Sequence, residues 1–166
     1  KIICVGTKLK RSLCAYVSDP DKVTVIPNFV DTNTFAFSPH RTEKEKHFTF
    51  ISIGNLNKRK GFWDLLTAFH WAFKDMPHVS LLIAGDGEEM QSLKEQIQSL
   101  HLEEQVKLTG RLSREELSGL LATCDAFVLA SFAETFGIVF IEAMATGLPA
   151  IGTICGGPED IITPES

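Results

Sequence analysis

Short apolar runs alternate with segments of helical periodicity, and this alternation most constrains the fold. The runs are 2–6, 23–26, 48–53, 79–84, 106–108, 126–130 and 150–154. Several are continuously apolar, as strands covered on both faces must be. Between them, Phe62, Leu65, Leu66, Phe69 and Phe73 recur at the spacing of one helical face, and Met90, Leu93, Ile97 and Leu100 make a second stripe. Ser113 and Glu116 form a capping box ahead of Leu117, Leu120 and Leu121. Residues 137–146 read as a fourth helix, stopped by Gly147 and Pro149. Strand–helix alternation predicts an α/β fold, a doubly wound, Rossmann-like parallel sheet with helices on both faces. Ligands of such sheets sit at the carboxyl ends of the strands, so the residues just after each strand are the candidates for function.

Composition narrows the function classes. A chain of 166 residues is one domain's worth, and buries roughly 70% of the surface its unfolded form exposes, so it needs no disulfide framework or structural metal. Hydrophobic residues at 44% and charged residues at 22% exclude a disordered or fibrous chain. The 16 Lys and Arg against 21 Asp and Glu leave a net charge of −5, which argues against a general nucleic-acid binder but leaves room for a local anion site. No apolar stretch approaches the roughly 18 residues of a spanning helix, and the N-terminus lacks a signal-peptide pattern. Cys4, Cys14, Cys124 and Cys155 form no C-x-x-C pair; buried thiols in a reducing, cytoplasmic compartment are expected. Residues 27–46 read as a long polar connection, and a helix is expected to begin near Pro158, so the chain reads as a piece of something larger.

The strand ends carry the candidate chemistry. After 48–53 come Gly54 and Asn55, then Lys58, Arg59 and Lys60 ahead of a helix. Three cations at a helix N-terminus make either an anion site or a solvated basic loop. No Gly-Lys-Ser/Thr follows at the spacing of a Walker A loop. Gly85, Asp86 and Gly87 after 79–84 allow a close backbone approach to a ligand, or simply a tight turn. Gly110 and Arg111 follow 106–108, where Arg111 could meet a phosphate or a base, or be a surface charge. After 126–130 come Glu134, Thr135, Phe136 and Gly137, with Glu142 about two turns further on. One carboxylate can reach the reacting part of a ligand while the other accepts from both hydroxyls of a ribose. Alternatively, Ser131 and Glu134 form a capping box and Glu142 is an ordinary helix residue. Gly156 and Gly157 could offer amides to a phosphate. Asp19-Pro20-Asp21 reads as turn chemistry rather than a metal–diphosphate site. The five histidines show neither metal-ligand spacing nor a nucleophile partner.

Together these segments resemble the donor-binding half of a retaining glycosyltransferase of family four, the group-one glycosyltransferases with the GT-B fold. The resemblance rests on Val25-Ile26-Pro27-Asn28 with Val30, Asp31 and Phe35; on Gly54, Leu56, Arg59, Lys60 and Gly61; on Leu82 to Gly85 with Gly87; and on Val106 with Gly110 and Arg111. It rests most on Glu134-Thr135-Phe136-Gly137 followed by Glu142-Ala143-Met144-Ala145, Gly147 and Pro149, and ends at Gly156-Gly157. The segments run in family order over nearly the whole chain. The resemblance implies that Lys60 contacts the donor diphosphate, Glu134 lies near the sugar and the reaction centre, and Glu142 binds the ribose. Amides around Phe136 and Gly137 would hold phosphate, and Gly110 with Arg111 would lie close to the base. Asn55 stands where the family commonly has an arginine for the diphosphate, and Arg59 is the candidate substitute.

The resemblance implies a donor-binding domain over residues 1–166, with 1–20 as the tail of an N-terminal acceptor domain. It implies metal-independent transfer of a hexosyl group, with retention, from a nucleoside diphosphate sugar, expected to be UDP-linked. No cofactor is needed, and no activity is expected from these residues alone. The acceptor would be a glycan or lipid-linked molecule, reached at the inner face of a membrane through peripheral association. The alternatives are a nucleotide-sugar epimerase or hydrolase on the same scaffold, and a non-catalytic nucleotide-binding module.

Overall fold

The computed structural model describes residues 1–37 and 47–162. The chain opens with strand β1 (Ile2–Cys4), helix α1 (Thr7–Cys14) and strand β2 (Val23–Val25). β1 and β2 pair in parallel as a two-stranded sheet of their own. The rest alternates: β3 (Phe48–Ile53), α2 (Phe62–Phe73), β4 (Val79–Ala84), α3 (Met90–Ser99), β5 (Val106–Gly110), α4 (Arg114–Leu121), β6 (Ala126–Leu129), α5 (Ile138–Ala145) and β7 (Ala150–Gly152). These five strands form one parallel sheet in the order β5-β4-β3-β6-β7. The chain winds outward from β3 to β5, returns through α4 to the other side of β3, and continues to β7. Right-handed crossovers put the helices of the two directions on opposite faces. The doubly wound parallel sheet expected from the alternation is therefore present.

Burial follows from this layering. Ile51, Leu81 and Ile83 on the central strands are fully buried, because both faces of a parallel sheet are covered. Phe62, Leu65, Leu66 and Phe69 form the buried stripe of α2, as their spacing predicts. Across the sheet, Phe127 of β6 meets Phe140 of α5 edge-on, with ring centroids 5.0 Å apart. Residues 27–37 dock onto this unit through Phe35, which is buried, and through the Ser118 hydroxyl, which donates to the Thr34 carbonyl at 2.5 Å. Asp31 holds the turn between them, accepting from the Asn33 amide at 2.9 Å and the Thr34 hydroxyl at 2.8 Å.

The expected strand bounds hold at 48–53 and 79–84 and shift elsewhere. β7 stops at Gly152 rather than 154 because its neighbour β6 ends opposite it, at Leu129. An edge strand cannot outlast its one partner. β1 stops at Cys4 because Gly6 already caps α1. β5 instead runs on to Gly110, whose carbonyl accepts the Gly85 amide at 2.9 Å. The helix expected near Pro158 is a single 3-10 turn, Pro158–Asp160; residues 163–166 lie outside the described residues, as do 38–46 of the long connection, with His40. Asp19 caps another 3-10 turn, Pro20–Lys22, accepting the Asp21 amide, which is the turn chemistry expected there. Of the four cysteines only Cys4 and Cys124 are buried; Cys14 and Cys155 are half-exposed, being on a wholly unburied helix and in a loop.

The direction of winding reverses between β3 and β6, which opens a crevice at their carboxyl ends. The strand ends on the other side of β3 require glycine. Gly85 has φ +148°, and a Cβ there would lie 1.8 Å from the Gly54 carbonyl oxygen. Gly85→Ala is expected to destabilise the fold by about 2–4 kcal/mol through strain and overpacking, measured by chemical denaturation.

Candidate functional site

A cavity of about 640 Å³ opens over the carboxyl ends of β3, β4 and β5. Gly54, Asn55, Gly85 and Arg111, each singled out from the sequence, line it together with Asp86 and Leu117. Gly110 ends β5 immediately before Arg111. The strand ends thus bring four predicted residues from three separate turns to one surface.

Lys60 and Glu134 meet across the crevice between β3 and β6. Lys60 closes the 3-10 turn Lys58–Lys60, and Gly61, left-handed at φ +65°, leads into α2. The Lys60 stem crosses Gly54, where a Cβ would sit 3.5 Å from the lysine Cε. Its Nζ forms an ion pair with Glu134 Oε1, which also accepts from the Ser131 hydroxyl at 2.9 Å. The two side chains are only 13% and 7% exposed, so this pair is largely withdrawn from water. Ser131 and Glu134 do not form the capping box that the sequence allowed, because α5 begins at Ile138. The Arg59 side chain belongs to an exposed residue outside the cavity lining, while its carbonyl accepts the Phe132 amide at 2.8 Å and ties this turn to the end of β6.

The segment after Glu134 leads into α5. Thr135 is exposed and Phe136 is buried. Gly137 starts α5 in the left-handed region, and no side chain caps that helix. Its first amides, with the helix dipole, therefore offer positive potential toward the crevice. At the glycine pair after β7, the Gly156 N–H is taken by the Glu159 carboxylate at 2.7 Å. Gly156 bridges to Glu134, and a Cβ on Gly157 would lie 2.3 Å from the Phe136 nitrogen.

Glu142 is buried in α5 and meets Arg114, the first residue of α4, at 3.4 Å. Burial pushes the Glu142 carboxyl above its ordinary value, opposed by the Arg114 charge. The same guanidinium lies 5.2 Å from the centroid of the Phe35 ring, so the docked segment 27–37 helps to hold it. Arg114 and Glu159 were not singled out in the sequence, and Ser131 was read only as a capping-box partner of Glu134. Ser131 was legible as a neighbour of Glu134; nothing local in the sequence pairs Arg114 with a glutamate 28 positions on.

The family described as glycosyl transferases group 1 matches residues 34–166. The chain belongs to that family. Among curated relatives it is 32% identical over 151 residues to N-acetyl-alpha-D-glucosaminyl L-malate synthase of Bacillus anthracis, covering 86% of this chain and 39% of that protein. It is 34% identical over 161 residues to alpha-monoglucosyldiacylglycerol synthase of Streptococcus pneumoniae, covering 90% of this chain and 36% of that one. Among solved structures, Anabaena HepE in complex with UDP and glucose superposes with a TM-score of 0.83 at 26% identity, over 96% of this chain and 46% of that chain. The pneumococcal O-GlcNAc transferase GtfA, in complex with UDP and GlcNAc, gives 0.79 at 27%, over 95% and 31%. This group 1 glycosyl transferase chain thus spans less than half the length of the relatives it matches.

Two outcomes follow from the geometry. Lys60→Ala leaves the Glu134 carboxylate buried without its cation, and is expected to cost about 3 kcal/mol of stability, most of it recovered when Glu134→Gln is added; denaturation of the four proteins of the cycle measures this. For Glu142, the folded state binds the proton more tightly than the unfolded state. Its share of stability is therefore fully present below the ordinary carboxyl value and falls as pH rises through the raised one. Glu142→Gln should flatten that fall, read by denaturation across about pH 4 to 7.

Proposed function

We propose that this chain is the donor-binding domain of a retaining glycosyltransferase that moves a hexosyl group from a nucleoside diphosphate sugar, UDP-linked, to a glycan or lipid-linked acceptor. The observation that carries this reading is the Lys60–Glu134 pair at the β3–β6 crevice, beside the cavity over β3, β4 and β5. Membership of the group 1 family and likeness to two structures crystallised with UDP and a sugar support it. In this reading the base and ribose occupy the cavity, with Arg111 toward the base and Glu142 on the ribose hydroxyls. Arg114 is a positioning residue whose charge opposes the burial that raises the Glu142 carboxyl. The diphosphate lies toward Lys60 and the first amides of α5.

The chemistry is departure of the nucleoside diphosphate from the anomeric carbon. Negative charge grows on the leaving phosphate as that bond breaks. Lys60 and the α5 N-terminus are fixed before the donor arrives, so they stabilise the charge without reorganising. An incoming diphosphate shares Lys60 with Glu134, which leaves the glutamate carboxylate beside the sugar. The acceptor hydroxyl attacks from the face that the leaving group vacates, its proton passes to the departing phosphate oxygen, and configuration is retained. Fixed cations do the neutralising, so no metal is invoked. Residues 1–20 are read as the tail of an acceptor-binding domain, and the whole enzyme as cytoplasmic, working at the inner face of a membrane. Among the described residues no helix is long and apolar enough to cross one.

Calorimetric titration tests the donor reading. UDP and UDP-glucose are expected to bind weakly, since one wall of the cleft belongs to the acceptor side. Lys60→Ala should weaken UDP by about 1–3 kcal/mol and leave uridine unchanged, because the nucleoside has no phosphate to lose. Asn55→Arg should tighten UDP, and both effects should shrink with salt as the screening length falls to near 10 Å at 0.1 M. No binding of any nucleoside diphosphate at millimolar concentration, or equal weakening of uridine and UDP, overturns the reading.

A further inference from the structure

A second cavity, of about 380 Å³, shares no lining residue with the first. Its volume falls within the roughly 300–1,000 Å³ of small-molecule sites. The wall is assembled from separate elements: Lys58 of the 3-10 turn, Trp63 and Asp64 of the first turn of α2, Glu89 and Ser92 at the start of α3, and Phe132 after β6. Two large aromatic residues remain open to solvent there, Trp63 at 48% and Phe132 at 66% exposure.

Glu89 is the second observation. It is 9% exposed, and its Oε2 has no hydrogen-bond partner among the described residues. A buried acceptor without a donor is costly, so it is a vacancy for one. Its backbone is fixed: the amide donates to the Leu56 carbonyl at 3.0 Å, and its carbonyl accepts the Ser92 hydroxyl at 2.9 Å. The Ser92 hydroxyl is therefore spent on the backbone and does not serve the carboxylate. Asp64 adds a second acceptor and Lys58 a donor.

Exposed aromatic faces, carboxylate acceptors and an ammonium donor around one small cavity suit a ligand that is apolar on one face and ringed with hydroxyls. Two carboxylates oppose a phosphate, and Lys58 in the wall opposes a cation. We propose that this cavity is a saccharide subsite that takes a hexopyranose ring of a glycan. The ring stacks on Trp63 and Phe132, and its hydroxyls donate to Glu89 and Asp64. Phe132 stands two residues before Glu134, and its amide is bonded to the turn that carries Lys60. A ring held here is the outlying residue of a glycan whose chain continues toward that pair. Sugar binding in this cavity stands on the cavity's own residues, while the path of the glycan toward that pair rests on the proposed function.

The test is a ¹H–¹⁵N NMR titration of the chain with methyl α-glucopyranoside and with maltose, in the presence of UDP. Saturable shifts are expected at the Trp63 indole and the Phe132 amide, with maltose the tighter ligand. Trp63→Ala should weaken sugar binding about five- to tenfold. Phe132→Ala, in a loop, should repeat the effect without touching a helix, and Glu89→Gln should weaken binding several-fold. Absence of sugar shifts in the millimolar range, shifts confined to Gly85 and Arg111, or unchanged affinity in both aromatic variants overturns the proposal. So does ethylammonium moving these resonances where sugar does not. UDP shifts are read in the same spectra, so failure of the donor reading and failure of this one are distinguishable.

Discussion

The ion pair between Lys60 and Glu134 joins the two halves of the winding. Lys60 is delivered by the turn after β3, and Glu134 by the turn after β6, and these strands are the neighbours at which the sheet reverses direction. A pair with side chains 13% and 7% exposed is costly to assemble, because both charges leave water. The surrounding residues offset that cost by fixing position. Gly61 lets the β3 turn press against Ala130, the Ser131 hydroxyl takes a share of the carboxylate, and the Phe132 amide is fastened to the Arg59 carbonyl. What results is a cation held where an anion can reach it.

The glycines around the crevice act mainly on backbone distance. At Gly85 a side chain would collide with the neighbouring strand end, and at Gly157 it would collide with the Phe136 backbone. The first contact lets the turns after β3 and β4 wall one cavity together, and the second packs the loop after β7 against the turn after β6. From the sequence, the glycine pairs read as amides available to a ligand. At Gly156 that reading fails because Glu159 already occupies the amide, and Lys8 lies 3.6 Å from the same glutamate. The segment ties the N-terminal helix α1 to the turn that carries Glu134. The Thr7 amide and hydroxyl extend the tie by donating to Asp160.

The fold was legible because parallel strands buried on both faces leave an apolar signature, and the two central strands, 48–53 and 79–84, carry it over most of their length, broken only by Thr49, Ser52 and Ser80. Peripheral strands were read too long or too short because their ends are set by partners and caps, which a local pattern cannot encode. Gly54, Asn55, Gly85 and Arg111 were found as a group because the topology puts all strand ends on one side. The pairing of Lys60 with Glu134 was not legible. It spans 74 residues and depends on which strand lies beside β3, which only the sheet order determines. Arg114 was missed for a similar reason, being held by Phe35 from a distant loop.

Glu142 shows how burial and binding pull against each other. A carboxylate at this position gains from a ribose only if it is ionised, yet its burial favours the neutral acid. Arg114 works in the opposite direction, but the two side chains are unequal: Arg114 is 60% exposed and Glu142 is 8% exposed. Solvent screens the arginine's charge, so it lowers the carboxyl's proton affinity less than a buried partner would. A bound ribose would supply two hydroxyl donors, and hydrogen bonds to the charged form favour ionisation. In the proposed function the ligand therefore completes the electrostatic environment that the protein leaves partly unfilled. Arg114, poised against Phe35, opposes the burial that favours the neutral acid.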